Sequence, residues 1–293
     1  MKTTIKGMDA FTKMFTIEVP EKTKSYTPIS HSSIIGTIRR EIADAGFKID
    51  TENYRCSNDG KIALGTISIV YKEDPDIQLG VSFINSYNKQ HAFKFTLGAI
   101  VKVCNNGMII SNDSFGMFKK VHKGDADILS KGKIAEALTN AGKYWDTLVK
   151  HKNQLISRHL STSERNSILG ELFFDSSILS GMQLNIIKKE IEKPSFDYGR
   201  PDTAWALYNH ITLALKETHP ADWIDHQIAL HDVFKSYMPI GIEHAELPSG
   251  IAKLYTTFTG SDYGVTSTTT EYSSITTTDT VGIYPVTPKE LPF

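Results

Sequence analysis

Two stretches of strict two-residue alternation limit the folds open to this chain more than any other feature. Ile77, Leu79, Val81 and Phe83 alternate with polar or small residues, and Phe93, Phe95, Leu97, Ala99, Val101 and Val103 do so again. Successive side chains of a strand point to opposite faces, so the pattern predicts two strands that each bury one face. Upstream, residues 53–71 read NYRCSNDGKIALGTISIVY, where Asp59-Gly60 marks a hairpin. A tight turn needs positive φ, which glycine supplies without a Cβ clash. Four antiparallel strands with one buried face follow. The opposite face of the last strand is expected to carry Lys94, Thr96, Gly98, Ile100, Lys102 and Cys104, and Asn105-Asn106-Gly107 suits a turn after it.

Around these strands the period changes to that of a helix. Ser30, Ser32 or Ser33 can cap a helix in which Ile34, Ile38, Ile42 and Ala45 recur at helical spacing and which Gly46 ends. After the sheet, Ile134, Leu138, Ala141, Trp145, Leu148 and Leu155 predict one long helix packed on it through the Trp145 stripe. Shorter helices are expected over 163–173, 181–192, 202–217 and 221–238. From about residue 256 the chain is rich in Thr and Ser, with too few large apolar side chains to offset ordering entropy. The expected fold is α+β: a curved antiparallel sheet of about four or more strands packed on helices, then a helical subdomain and a Thr/Ser-rich C-terminal tail. By residue these are an N-terminal extension (1–29), the sheet core (30–160), the helical subdomain (161–240) and an extended or flexible tail (241–293).

With 293 residues, 40% of them hydrophobic, the chain can bury a sizeable core. Its apolar runs fall well short of the roughly 20 residues that span a bilayer, and its first residues have no signal-peptide core. Two cysteines, Cys56 and Cys104, are too few for a disulfide framework. A soluble protein in a reducing cytoplasm is therefore expected. The net charge of −1 is unevenly spread: residues 89–159 carry 12 basic and 5 acidic groups, residues 160–293 carry 9 and 17. Such division can mark an anion-binding segment beside an acidic one.

No P-loop, dinucleotide-binding glycine motif, nucleophile elbow or H-E-x-x-H helix is present. His226 and His231 lie five apart, a poor spacing for two metal ligands on one helical face, although Asp225 and Asp232 are near. Cys104 acts as a nucleophile only if the fold brings a base such as His91 or His122 to it; packing beside a strand end is the favoured reading. No catalytic residue, metal site or cofactor is expected. The stretch 89–123 is more suggestive, because Lys89, Lys94, Lys102, Lys119, Lys120 and Lys123 are opposed only by Asp113, with Tyr87, Phe93, Phe95, Phe115 and Phe118 interleaved. Lysines attract phosphates and aromatic rings stack on unpaired bases, the combination used by single-strand binders. Tyr87 and Phe118 are the candidate stacking residues. Arg39 and Arg40 read as surface charges, with phosphate contact as the minority reading. The final VTPKELPF resembles the C-terminal tip by which bacterial single-stranded DNA-binding proteins recruit partners, without that family's acidic run.

Two blocks carry a wider resemblance. Residues 83–110, FINSYNKQHAFKFTLGAIVKVCNNGMII, and residues 202–217, DTAWALYNHITLALKE, resemble the phage/plasmid-like family known as domain of unknown function 932, over roughly residues 30–240. Asn85, Ser86, Tyr87, Cys104, Asn105, Gly107, Thr203, Trp205, Asn209 and Thr212 match its pattern, and His210 stands where alanine is expected. The resemblance implies work on mobile DNA or against host defence, with no assigned chemistry. The element order also looks like the core of Redβ/RecT-type annealing proteins. The expectation is a non-enzymatic, homo-oligomeric protein binding single-stranded DNA, with strand annealing or recombination as its use. The alternative is a protein-interaction module, a defence inhibitor or virion-associated subunit, that engages a protein partner through the acidic helical half or the tail.

Overall fold

The computed structural model describes residues 4–89, 91–110, 117–123 and 126–238, the side chains of 126–130 excepted. The Thr-rich tail, Asp113 and Phe115 lie outside the described residues. A short strand β1 (Thr4–Lys6) and a helix α1 (Gly7–Thr16) lead to α2 (His31–Asp44). Strands β2 (Lys48–Ser57), β3 (Ile62–Val70), β4 (Ile77–Ser86) and β5 (Phe93–Val101) then form an antiparallel meander. β1 adds to its outer edge. The other edge of β5 is shared by β6 (Asn106–Met108) and β7 (Met117–Lys120). Helices α3 (Ala126–Thr139), α4 (Ala141–Ser157), α5 (Thr162–Gly170), α6 (Gly181–Glu192), α7 (Ala204–Ala214) and α8 (Trp223–Tyr237) complete the α+β fold, its C-terminal part helical.

Local signals place the first elements. Ser30 caps α2 by accepting a hydrogen bond from the Ser33 backbone N–H, and Gly46, at φ +80°, lets the chain leave the helix. Gly60 takes φ +71° in the turn between β2 and β3. Residues 4–16, expected as an extension, instead contribute a paired strand and a helix whose Ala10 and Met14 join the core. The expected long helix is two, α3 and α4. Asn140 separates them: its backbone N–H bonds the Glu136 and Ala137 carbonyls, and its side chain also donates to Glu136. Beyond α5 the winding loosens into a π-helical turn, Glu171–Asp175.

The sheet departs from the expected single buried face. One face carries Phe83, Phe93, Phe95, Leu97 and Ile67 against Ile34, Ile38, Ile42, Trp145 and Leu148 of the helices. The second face is covered as well: Leu64, Ile84 and Ile109 pack with Ala221, Trp223 and Ile224 at the start of α8. Every residue of β5 is therefore buried, Lys94 and Thr96 included. The alternation ends at Val101; Val103, expected in the core, lies past the strand and is half exposed, while Cys104 turns back inside. Asn105, at φ +54°, makes that reversal.

Close packing of the core face requires a missing side chain at one position. The Phe83 ring lies across Gly65, where a Cβ would stand 2.2 Å from a ring carbon. Phe83 is fully buried and has no space to retreat into. Gly65→Ala is expected to lower unfolding free energy by about 1–3 kcal/mol through overpacking. Urea titration followed by circular dichroism checks this; an unchanged midpoint would contradict it.

Candidate nucleic-acid interface

In an antiparallel meander alternate turns emerge at the same end, so the β2–β3 turn and the β4–β5 turn are neighbours. The Tyr87 backbone N–H donates to the Lys61 carbonyl at 2.8 Å, joining them. The segment before α2 is fixed to the same end. The Tyr26 hydroxyl donates to the Ser86 carbonyl at 3.4 Å, and the Thr27 N–H donates to the His122 carbonyl at 2.9 Å. Lys89 sits 5.0 Å over the Tyr26 ring, whose other neighbour is the edge of His122. β7 runs alongside β5 with Lys120 opposite Phe93 and Lys119 opposite Lys94. One end of the sheet thus gathers Lys24, Lys61, Lys89, Lys119, Lys120 and Lys123. None of these forms an ion pair within 4 Å among the described residues, although Asp59 of the β2–β3 turn lies near enough to Lys61 to interact with its charge.

Of the lysines expected to act together, Lys89, Lys119, Lys120 and Lys123 are at this end, and two are not available there. Lys94 is buried on the second face and ion-paired with Asp225 of α8. Lys102 lies at the far end of β5, roughly 30 Å along the strand from Phe93 at about 3.3 Å per residue. Its ammonium donates to the Asp74 carbonyl at 2.6 Å. Arg39 is held by both oxygens of Glu52, at 2.7 and 2.5 Å, so its charge is neutralised. Arg40 is exposed on α2, and no described contact joins it to the lysine group. Lys24 and Lys61 lay outside the basic window read along the chain; the meander's alternating turns were the signal for Lys61.

The aromatic candidates also divide. Tyr87 is buried and its ring is stacked on His31 at 3.9 Å and 9°, so neither face is open to a base. Phe118 is half-buried, packed edge-on to Phe93, and retains exposed surface. Both cysteines are buried, and burial pushes the Cys104 thiol up and the Cys56 thiol up to about 11. Neither is poised as a thiolate. His231 turns into the core, where it meets His151 at 2.8 Å, away from the solvent side of α8. Among the described residues no group of three His, Cys, Asp or Glu could hold a metal ion, and no helix is long and apolar enough to cross a membrane.

The residues that carried the family resemblance sit at structural junctions. Asn85 donates to the Ile29 carbonyl and to Nδ1 of His31, both at 2.8 Å, while Nε2 of His31 reaches the Gly60 carbonyl at 3.1 Å. The Tyr87 hydroxyl accepts from the His31 backbone N–H at 2.7 Å. A neutral imidazole protonated on Nε2 satisfies both ring contacts, and burial holds its pKa down at about 4. Thr203 caps α7, Asn209 donates to the Trp205 carbonyl, and Asn106 of β6 donates to the Asn209 carbonyl at 3.1 Å. His210, in place of the expected alanine, is buried edge-on to Tyr198.

The family model described as a domain of unknown function (DUF932) matches residues 21–231. The chain belongs to the DUF932 family. No curated protein and no solved structure matches it. Within this DUF932 chain the matched residues take in the whole meander, the clamp around His31, helices α2 to α7 and the first part of α8.

The clamp makes the fold sensitive to acid. His31 and the half-buried His151 both have folded pKa values lowered to about 4, chiefly by burial, against an unfolded value near 6.5. Between those limits the unfolded chain binds more protons. Stability is therefore complete above about pH 6.5 and falls as the pH drops towards 4, by on the order of 3 kcal/mol from His31 alone. Urea midpoints measured from pH 7 to pH 4.5 should decline, and His31→Gln should reduce that slope; a flat profile would contradict the assignment.

Proposed function

We propose that this protein binds single-stranded DNA at the lysine-bearing end of its sheet, handling the strand without performing chemistry on it. The observation that carries the reading is the gathering of Lys24, Lys61, Lys89, Lys119, Lys120 and Lys123 there, with Asp59 of the β2–β3 turn acting on Lys61 and no ion pair to any of the six among the described residues. Phosphates neutralise such a group and release their counterions, which favours binding. Among the described residues, turns and an edge strand build this surface. A flexible single strand can follow such a rim, with the exposed part of Phe118 offering a surface for one base.

Work on phage or plasmid DNA, as in annealing or recombination, is the use proposed for this binding. Copies of the chain arranged side by side on one strand would present neighbouring bases to a complementary strand.

Fluorescence anisotropy with a labelled oligothymidine at low salt tests the reading. The protein should bind, and Lys89→Ala/Lys120→Ala/Lys123→Ala should weaken binding at least tenfold while leaving the circular dichroism spectrum unchanged. Lys102→Ala, at the other end of β5, should change affinity less than twofold. Absence of binding at low salt, or equal loss in both variants, would overturn it.

A further inference from the structure

On the second face of the sheet the register sets Lys6 beside Arg55 and Arg55 beside Leu64. The 3-10 turn Leu215–Glu217 lies against this edge: Arg55 Nη1 donates to the Lys216 carbonyl at 2.5 Å, and Lys6 pairs with Glu217 at 2.7 Å. A cavity of about 240 Å³ opens between them, lined by Lys6, Arg55, Leu64, Ile100, Lys216 and Trp223 among others. Among the described residues, three cations line it and no carboxylate does. Glu217 pairs with Lys6 and acts on Arg55 at longer range, and neither Arg55 nor Lys216 forms an ion pair among the described residues.

The two inner cations are held in place by backbone carbonyls. Lys216 donates to the Cys104 carbonyl, and the Arg55 guanidinium lies 5.4 Å over the Trp223 ring. Carbonyls and a π face orient a cation without cancelling its charge, and burial lowers Arg55 to about 10 despite the opposing influence of Glu217. A bound anion would offset this desolvation. Trp223 is itself buried, and its indole N–H has no hydrogen-bond partner among the described residues. Its ring lies so close over Gly107 that a Cβ there would stand 2.7 Å from it, which fixes the ring's position.

A cluster of positive charge beside the apolar side chains of Leu64 and Ile100, with the polar side chains of Asn53 and Thr66 also in the lining, matches the two halves of a nucleotide. We propose that this cavity binds a nucleoside monophosphate group, with Arg55 and Lys216 on the phosphate and the apolar lining at Leu64 and Ile100 against the base, Trp223 serving to hold Arg55 in place. None of these residues belongs to the lysine-bearing end, so the site stands apart from the strand-binding reading. The group can come from a free nucleotide or from the 5′-phosphorylated end of a strand.

Isothermal titration of the full chain with adenosine 5′-monophosphate, adenosine and inorganic phosphate tests this. The monophosphate should bind, and adenosine and inorganic phosphate should each bind at least tenfold more weakly. Lys216→Gln and Arg55→Met should each cost at least tenfold in affinity, while Lys89→Ala/Lys123→Ala should leave it unchanged. If Arg55→Met lowers the thermal midpoint, Lys216→Gln alone carries the comparison, since its side chain is partly exposed and the loss removes only one hydrogen bond. A 5′-phosphorylated trinucleotide that binds more tightly than the monophosphate, in a manner sensitive to Lys216→Gln, would assign the site to strand ends; the reverse order would assign it to free nucleotides. No binding of either at millimolar concentration, equal affinity for inorganic phosphate, or indifference to Lys216→Gln would overturn the proposal, and oligothymidine binding would stand or fall separately.

Discussion

Burying both faces of the central strands is the constraint on which the rest of this structure depends. The core face of β4 and β5 is apolar and needs only the isoleucines of α2 and the Trp145 side of α4 against it. The second face is different: Gly80, Ser82, Thr96, Gly98 and Lys94 are small, polar or charged, yet all are buried. Small residues let backbone approach closely, as Met108 and Ile109 do over Gly98. A lysine ammonium cannot be buried without a counter-charge, and Asp225 at the start of α8 supplies it. The ion pair therefore fixes where α8 sits, and α8 closes the small apolar cluster of Leu64, Ile84 and Trp223 beside it.

The same economy of buried polar contacts operates at the two ends of the sheet. At one end, His31, Asn85 and Tyr87 tie the start of α2 to the β2–β3 and β4–β5 turns. At the other, Lys152 of α4 reaches both oxygens of Asp74, at 2.8 and 2.7 Å, and Asp76 at 2.9 Å. Burial works against the Asp74 carboxylate, but Lys152 and the backbone N–H groups of Asp76 and Ile77 outweigh it and hold its pKa down. Matching ties of this kind fix the turns, and the turns carry the lysines.

Much of the architecture is legible along the chain because it is local. Alternation in β4 and β5, the glycine of the β2–β3 turn, the serine cap of α2 and the helical spacing of α6 to α8 each depend on residues close in sequence. The covering of the second face is not local. Lys94 and Thr96 look like solvent-facing residues until Asp225, 131 positions away, is placed beside Lys94. The candidate site shows the same limit. A window along the sequence joined Lys94 and Lys102 to Lys89 because they share a strand, whereas the fold separates them by face and by strand length. It passed over Lys61, which the meander brings to Lys89, and Lys24, which the Tyr26 segment brings there. Tyr87 reads as a stacking aromatic by composition and serves as a stacking partner of His31 by position.

Function in this DUF932 protein is then read from charge placed on a rigid frame. The fold holds one group of lysines at a sheet end and another set of cations in the cavity beside Trp223, and phosphate is the ligand chemistry proposed for both. The central claim is electrostatic capture of a single strand at the lysine-bearing end, and the salt dependence of oligothymidine affinity tests it most directly. Each neutralised phosphate contributes about −0.7 to the slope of log affinity against log salt for a single strand, so engagement of four to six lysines predicts a slope of roughly −3 to −4. A slope near zero would contradict the claim.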